Sequence, residues 1–264
     1  MSRFDNTSFK NPHFKDLAAF KDEYQRSISD SKFFLKKPRI RRIVTKILEG
    51  DRNITRCFLG HDIFINSMKE HGYLRTSRLI NTSAFLRDEL PVIVNISNLV
   101  DDGDTIVDIG ANIGIYSIIF SRFKKIKKNI EIYAFEANPD TFERLQINAN
   151  KYKFHAFNLA LSNKNESVKF VEGAVSHVFT SIDNQSTYNF GENIIEVMTE
   201  KLSQQNIQGN SLILKIDVEG HELQVLSGSQ EFFEKSRVKA VFIDRFENVD
   251  VILFLKKYGF VLSF

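Results

Sequence analysis

The chain has 264 residues, which is enough for one sizeable domain with an extension or for two small domains. Its formal net charge of +3 is too small to indicate a nucleic-acid-binding surface, so we expect no nucleic-acid partner. A single cysteine excludes an internal disulfide, and no apolar run approaches the ~20 residues of a membrane span or forms an N-terminal signal segment, so we expect a soluble, cytoplasmic protein.

The first hundred residues predict an extension or lid that is mainly helical. Apolar residues recur with a helical period over Ile40–Leu48, which predicts an amphipathic helix. Cys57–Ile65 carries a glycine between two apolar patches, as in a short hairpin. Thr82–Val100 is again helical in pattern, and Pro91 predicts a break in it. We assign residues 1–100 to this extension.

From Asp104 onward, apolar strand patterns alternate with helical ones. The predicted strands are Thr105–Ile109, Ile130–Phe135, Phe154–Leu161, Leu212–Ile216 and Val238–Ile243, and the main helices are Asp140–Asn150, Glu222–Leu226 and Val249–Tyr258. Such alternation is typical of an α/β protein with a parallel, doubly wound sheet.

Two segments depart from this alternation. Ser167–Val171, Val178–Ile182 and Ile194–Met198 predict a small antiparallel β insertion at about residues 166–200 of a domain that spans 101–264. Phe260–Phe264 predicts a final strand without a partner in the sequence. An exposed edge of this kind could pair with another chain, which is the basis for expecting a homo-oligomer.

The turn after the first parallel strand predicts the class of cofactor. It reads Asp108-Ile-Gly110-Ala-Asn112-Ile-Gly114, and Asn112 and Ile115 stand where a dinucleotide-binding turn has its second and third glycines. Asp108 would repel a diphosphate, but it suits a ligand with an ammonium group. S-adenosylmethionine has such a group, and its carboxylate suits the N–H groups of the following helix.

Three carboxylates lie at the carboxyl ends of three predicted parallel strands: Asp108, Glu136 and Asp217. Because the carboxyl ends of parallel strands meet at one edge of a sheet, we expect them around one crevice. Glu136 lies 26 residues after Gly110, where an acid commonly accepts both ribose hydroxyls of a nucleoside.

A second cluster of ionisable residues reads Lys215-Ile-Asp217-Val-Glu219-Gly-His221-Glu222. His221 or a carboxylate could remove the proton of a hydroxyl acceptor. Alternatively, Asp217, Glu219 and His221 could hold a divalent metal ion that acidifies the hydroxyl. A purely structural role for Glu219 or Glu222 in the first turn of a helix is also open.

The segments VDIGANIGIYS, FEANP, LALSN and LKIDVEGHELQVLSG resemble the FkbM family of S-adenosylmethionine-dependent methyltransferases, over Asp104 to about Gly259. The resemblance implies a class I methyltransferase (Rossmann-like) fold. It also implies O-methylation of a hydroxyl on a sugar, glycan or natural product as the activity.

The resemblance also implies residue roles. The residues that it assigns to the cofactor are Asp108, Gly110, Ala111, Asn112, Gly114, Glu136, Ala137, Asn158, Ala160 and Asp217, with Glu136 at the ribose and Asn158 or Ala160 beside the adenine. The catalytic assignments are Asp217, Glu219, His221 and Glu222. After the fifth parallel strand the family usually has Glu, an apolar residue and His, whereas this chain has Asp244-Arg245-Phe246.

Three other functions remain open from the residues alone. A nicotinamide-dependent oxidoreductase is disfavoured, because the dinucleotide turn is missing and no Tyr is followed four residues later by Lys. A base-directed N-methyltransferase would need an Asn/Asp-Pro-Pro-aromatic loop, and Asn138-Pro139 does not supply one. A non-catalytic nucleoside-binding module would leave the acids of the second cluster idle.

Overall fold

The computed structural model describes residues 38–78, 85–172, 177–179, 193–209, 211–218, 220–243 and 248–262. They form two compact units. The described part of the first is residues 38–78, 85–94 and 261–262, and the second lies within Asn95–Phe260. Within the described ranges, no helix combines the length and apolar composition that a membrane span needs.

The first unit contains a hairpin and helices. Its elements are α1 (Pro38–Glu49), β1 (Asn53–Phe58), β2 (His61–Asn66), α2 (His71–Arg78) and the start of α3 (Phe85–Leu99). The predicted hairpin is confirmed, since β1 and β2 are antiparallel and Phe58 faces His61. Both residues of its loop, Leu59 and Gly60, have positive φ, which matches the twist of a two-residue hairpin. The predicted break at Pro91 is wrong, because α3 runs through it.

The second unit contains strands and helices that alternate along the chain, and their numbering continues from the first unit. Its strands are β3 (Asp104–Ile109), β4 (Glu131–Glu136), β5 (His155–Asn158), β6 (Ala160–Leu161), β7 (Glu166–Glu172), β8 (His177–Phe179), β9 (Asn193–Glu200), β10 (Ser211–Ile216) and β11 (Val238–Ile243). Its helices are α4 (Ile115–Phe120), α5 (Pro139–Tyr152), α6 (Glu222–Gly228), α7 (Gln230–Glu234) and α8 (Val249–Lys257), with short 3-10 turns at Ser121–Lys125 and Leu202–Gln204.

Five strands form the parallel sheet, in the order β11-β10-β3-β4-β5. The order reverses between β3 and β10, which makes their carboxyl ends the switch point where α/β proteins bind ligands. All six residues of β3 are buried, as expected of the central strand. The predicted α/β fold with a doubly wound parallel sheet is confirmed.

The β insertion is also confirmed, with one change. β7 pairs antiparallel with β8 and β9, and β6 joins this second sheet beside β9. The single predicted strand Phe154–Leu161 is therefore wrong, because its two halves belong to different sheets. No strand is present in the described part of the C-terminal segment, residues 260–262, while residues 263 and 264 lie outside the description.

Two glycines of the turn after β3 lie so close to neighbouring atoms that a Cβ would clash with them. Gly110 has a φ of +73°, and a Cβ there would lie 1.9 Å from the carbonyl oxygen of Asp217. Gly114 has a φ of +86°, and a Cβ would lie 2.6 Å from the Cδ1 atom of Leu145. Packing within the protein therefore disfavours a side chain at both positions.

We predict that Gly110→Ala destabilises the protein by about 2–6 kcal/mol, because it adds a backbone clash to a left-handed conformation. Gly103→Ala is the matched control, since Gly103 has a φ of +81° but nothing within 4 Å of its Cβ position. We expect the control to lose only about 1 kcal/mol. Urea denaturation measures both, and equal losses would contradict the close packing of the two loops.

Candidate active site

The turn after β3 is held by hydrogen bonds to both neighbouring strands. The N–H groups of Gly110 and Ala111 both donate to the carbonyl of Phe135, at 3.0 and 2.9 Å. On the other side, the N–H of Asp217 donates to the carbonyl of Ile109 at 3.0 Å. The sheet pattern thus continues past the ends of the strands, so that Gly110 lies between the chain at Asp217 and the chain at Glu136.

The remaining N–H groups of this turn are also bound within the protein. Asn112, at a φ of +53°, donates to the Oε2 atom of Glu136 at 2.9 Å. Ile113 donates to the side-chain oxygen of Asn112, and Gly114 donates to the carbonyl of Ala111, both at 2.8 Å. A phosphate cradle needs N–H groups that point at the ligand. This turn has five consecutive N–H groups that already have protein acceptors.

Glu136 connects the turns after β3 and β4. Its Oε1 atom accepts the N–H of Asn138 and its Oε2 atom that of Asn112, both at 2.9 Å. Only 6% of the residue is exposed, and this burial raises the pKa of Glu136 to about 7, against the lowering effect of the two backbone donors. Because a carboxylate has about four acceptor positions, two N–H donors leave capacity for two ribose hydroxyls.

Asp108 lies deeper than the sequence suggested. It is fully buried, its Oδ2 atom accepts the hydroxyl of Ser117 at 2.8 Å, and its Oδ1 atom lies 3.4 Å from the Nζ atom of Lys215. We expected this carboxylate to be open to the ammonium group of a ligand. In the structure, its charge is compensated by a lysine of the neighbouring strand.

Lys215 also contacts Asp217. Its Nζ atom lies 3.3 Å from the Oδ2 atom of Asp217, whose side chain is 36% exposed, and 4.7 Å from the ring centre of Tyr116. Lys215 itself is 5% exposed. The ammonium therefore joins a fully buried carboxylate to one that reaches solvent.

His221 and Glu222 begin α6. The Nε2 atom of His221 and the hydroxyl of Ser162 are 2.9 Å apart, and burial lowers the pKa of His221 to about 4. The imidazole is thus neutral at physiological pH and a weak base. Glu222 is buried, and its Oε1 atom accepts the N–H of Gly220 at 2.8 Å, which is the structural role left open above.

Glu219 lies outside the described residues, so the proposed metal ligand set Asp217, Glu219 and His221 stays a prediction. Among the residues that the structure does describe, no group of three His, Cys, Asp or Glu side chains is arranged to hold a metal ion.

The two residues predicted beside the adenine, Asn158 and Ala160, have different environments. The side-chain amide of Asn158 donates to the carbonyls of Glu136 and Ala137, at 2.9 and 3.1 Å. Ala160 is 3% exposed and packs with Val197 in the core of the insertion. Asn158 therefore supports the turn that carries Glu136, whereas Ala160 is covered by protein. Residues 244–247, including Asp244-Arg245-Phe246, lie outside the description.

Sequence reasoning missed three contacts of this site. Lys215 and Ser117 contact Asp108, and Ser162 contacts His221. A signal was available for Lys215, because it is the one charged residue in the otherwise apolar strand SLILKI. A lysine there needs a buried carboxylate nearby. The two serines carry no such signal, since serine is common in helices and loops alike.

The fold defines an α/β protein with a switch point at the carboxyl ends of β3 and β10, where proteins of this class bind ligands. The model of the methyltransferase FkbM domain matches residues 108–262. This match covers more than half of the chain, so the protein belongs to the FkbM methyltransferase family, and the resemblance seen in the sequence is confirmed.

Individual relatives were also found. The hexuronic acid methyltransferase AglP of Haloferax volcanii is 30% identical over 145 residues, which are 54% of this chain and 57% of that protein. The chain thus spans little more than half of this curated relative. The crystal structure of a methyltransferase FkbM from Methylobacillus flagellatus KT is 17% identical with a TM-score of 0.43, over 60% of this chain and 37% of that one. A precorrin-6y C5,15-methyltransferase of Geobacter metallireducens GS-15 is 15% identical with a TM-score of 0.36, over 64% and 70%.

The raised pKa of Glu136 predicts how stability depends on pH. Between its usual pKa of 4.5 and about 7, the folded state keeps a proton that the unfolded state has lost. This group should therefore lower the free energy of unfolding as pH rises through that range, by at most about 1.4 kcal/mol per pH unit, and have no further effect above it.

Urea denaturation at pH 5, 6, 7 and 8 tests this expectation. Glu136→Gln is the comparison, because it cannot titrate while the other carboxylates still do. We expect the wild type to lose stability relative to the variant between pH 5 and 7. A difference that is constant with pH would show that Glu136 is ionised in the folded protein throughout.

Proposed function

We propose that the protein is an S-adenosylmethionine-dependent O-methyltransferase whose acceptor is a hydroxyl of a sugar, glycan or natural product. The carrying observation is the arrangement of Asp217 and Glu136 on either side of Gly110, at the carboxyl ends of the two strands that flank β3. Membership of the FkbM methyltransferase family supports the reaction, and the hexuronic acid methyltransferase among its relatives supports a sugar acceptor.

The residues at this edge fit the cofactor's nucleoside end. Glu136 would accept the two ribose hydroxyls with the acceptor positions that its backbone donors leave unused. Asn158 would hold the β4 turn in place through its two carbonyl contacts. Ala111, Asn112 and Ala137 would then bound the cofactor through main-chain shape, because the N–H groups of the first two already bind protein acceptors.

At its methionine end, the cofactor supplies an electrophilic methyl group on a sulfonium. When an acceptor oxygen attacks, the O–CH₃ bond forms as the S–CH₃ bond breaks, and sulfur keeps the electron pair. The hydroxyl proton must pass to a base or to water. Of the catalytic candidates that the structure describes, Asp217 has a partly exposed carboxylate, whereas Glu222 is buried and His221 is weakly basic. We therefore place Asp217 at the methionine end of the cofactor.

The competing functions are weakened by the same geometry. A nicotinamide dinucleotide would bring a diphosphate to the turn after β3, where five N–H groups already have acceptors and Asp108 and Asp217 are close by. A non-catalytic module would bind the nucleoside but transfer no methyl group. Turnover therefore separates this alternative from the proposed enzyme.

Binding of S-adenosylhomocysteine, followed by calorimetry, tests the cofactor assignment. We predict that Glu136→Ala weakens it by about a hundredfold or more, since two hydroxyl contacts to the carboxyl group of Glu136 are lost. Glu131→Ala is the matched control, because Glu131 begins the same strand at the opposite edge of the sheet. It should bind like the wild type. Wild-type protein that binds no S-adenosylhomocysteine, or equal effects of both variants, would contradict the assignment.

Transfer from S-adenosylmethionine labelled in its methyl group tests the reaction. We predict that a panel of hexuronic acids and neutral sugars includes an acceptor, and that the label in the product survives mild base, because a methyl ether is stable where a methyl ester is hydrolysed. Loss of the label in base would move the reaction from a hydroxyl to a carboxylate. Label on no sugar of the panel would contradict the sugar acceptor.

A further inference from the structure

The buried Lys215 has no part in the function proposed so far. It lies at the second-last position of β10, directly opposite Asp108 of β3 in the parallel register. Side chains opposite each other in neighbouring strands lie on the same face. The ammonium therefore reaches Asp108 within its own layer of the sheet, at 3.4 Å.

Asp217 lies two residues beyond Lys215, so its side chain is on that face as well and one step closer to the crevice. The Nζ atom of Lys215 lies 3.3 Å from the carboxylate of Asp217. Helix α4 covers the group, with the ring of Tyr116 near the ammonium and the hydroxyl of Ser117 on Asp108. Lysine is thus held between one carboxylate below it and one above it.

The two carboxylates differ in what they can reach. Asp108 is fully buried, while the side chain of Asp217 is 36% exposed. The ammonium is shared between them: it donates a hydrogen bond to Asp217 at 3.3 Å and lies 3.4 Å from the Oδ1 atom of Asp108. One ammonium charge compensates only one of the two carboxylate charges, and Asp217 is the carboxylate through which the remaining negative charge can reach a ligand, because Asp108 is fully buried.

We propose that Lys215 is a positioning residue, which holds the Asp217 carboxylate at the crevice so that Asp217, rather than Asp108, receives the ammonium group of the cofactor. This inference rests on the proposed function. Lys215 itself touches neither cofactor nor acceptor. It acts by fixing the place of a carboxylate that would otherwise move freely in a loop.

A set of four variants tests the role. Lys215→Met alone would leave Asp108 buried without a cation, which should destabilise the protein strongly. The double variant Asp108→Asn, Lys215→Met removes both charges and should regain most of that stability in urea denaturation. A purely structural lysine predicts that binding of S-adenosylhomocysteine recovers together with stability.

The positioning role predicts a different result. The affinity of the double variant for S-adenosylhomocysteine should stay about tenfold below that of Asp108→Asn alone, because Asp217 is no longer held. Asp217→Asn should weaken binding about tenfold in the wild type, but less than about twofold when it is added to the double variant. The coupling between positions 215 and 217 is the quantity measured.

Recovery of affinity along with stability in the double variant would overturn the positioning role. A tenfold effect of Asp217→Asn in the double variant, which lacks Lys215, would overturn it as well. These results leave cofactor binding by the wild type intact. If the wild type binds no S-adenosylhomocysteine, the proposed function itself fails. Calorimetry on the wild type therefore separates the failure of one proposal from that of the other.

Discussion

The ion pair between Asp108 and Lys215 is the constraint on which the edge of the sheet depends. It joins β3 and β10, the two strands between which the strand order reverses. A buried ion pair adds little net stability, because desolvation offsets most of the attraction, but loss of one partner is costly. Its effect here is on register: a shift of one residue would turn Lys215 to the opposite face. The pair therefore fixes which residues of the two strands meet at the crevice.

Once the register is fixed, the loops follow from backbone chemistry. Asp217 and Gly110 continue the hydrogen-bond pattern of the strands that precede them, and their main chains come too close for any side chain at Gly110. Glu136 then accepts an N–H from each of two turns. The shape of the site therefore follows from the requirement that buried N–H groups of the protein have hydrogen-bond acceptors.

Much of the fold could be predicted from the sequence, since alternating apolar periods identify β3, β4, β10 and β11 and imply a parallel sheet. The division of Phe154–Leu161 into β5 and β6 could not, because it depends on which strand each half meets and not on local pattern. The site shows the same limit. Asp108, Glu136 and Asp217 were found by their position at the ends of strands. Their surroundings differ, because Asp108 and Glu136 are buried and Asp217 is partly exposed, and burial is a property of the assembled sheet.

Charge at this edge of the sheet also affects how strongly the site would attract S-adenosylmethionine and its demethylated product. Lys215 lowers the pKa of Glu136 while Asp108 raises it, so their effects oppose each other and burial dominates. Asp108 and Asp217 share the single ammonium of Lys215, so the three side chains together carry one negative charge, and burial raises the pKa of Glu136 to about 7. S-adenosylmethionine carries a sulfonium charge that its demethylated product lacks. Under the proposed function, an edge with residual negative charge attracts S-adenosylmethionine more than its demethylated product. Methyl transfer would therefore weaken the electrostatic attraction of the site for the product that must be released.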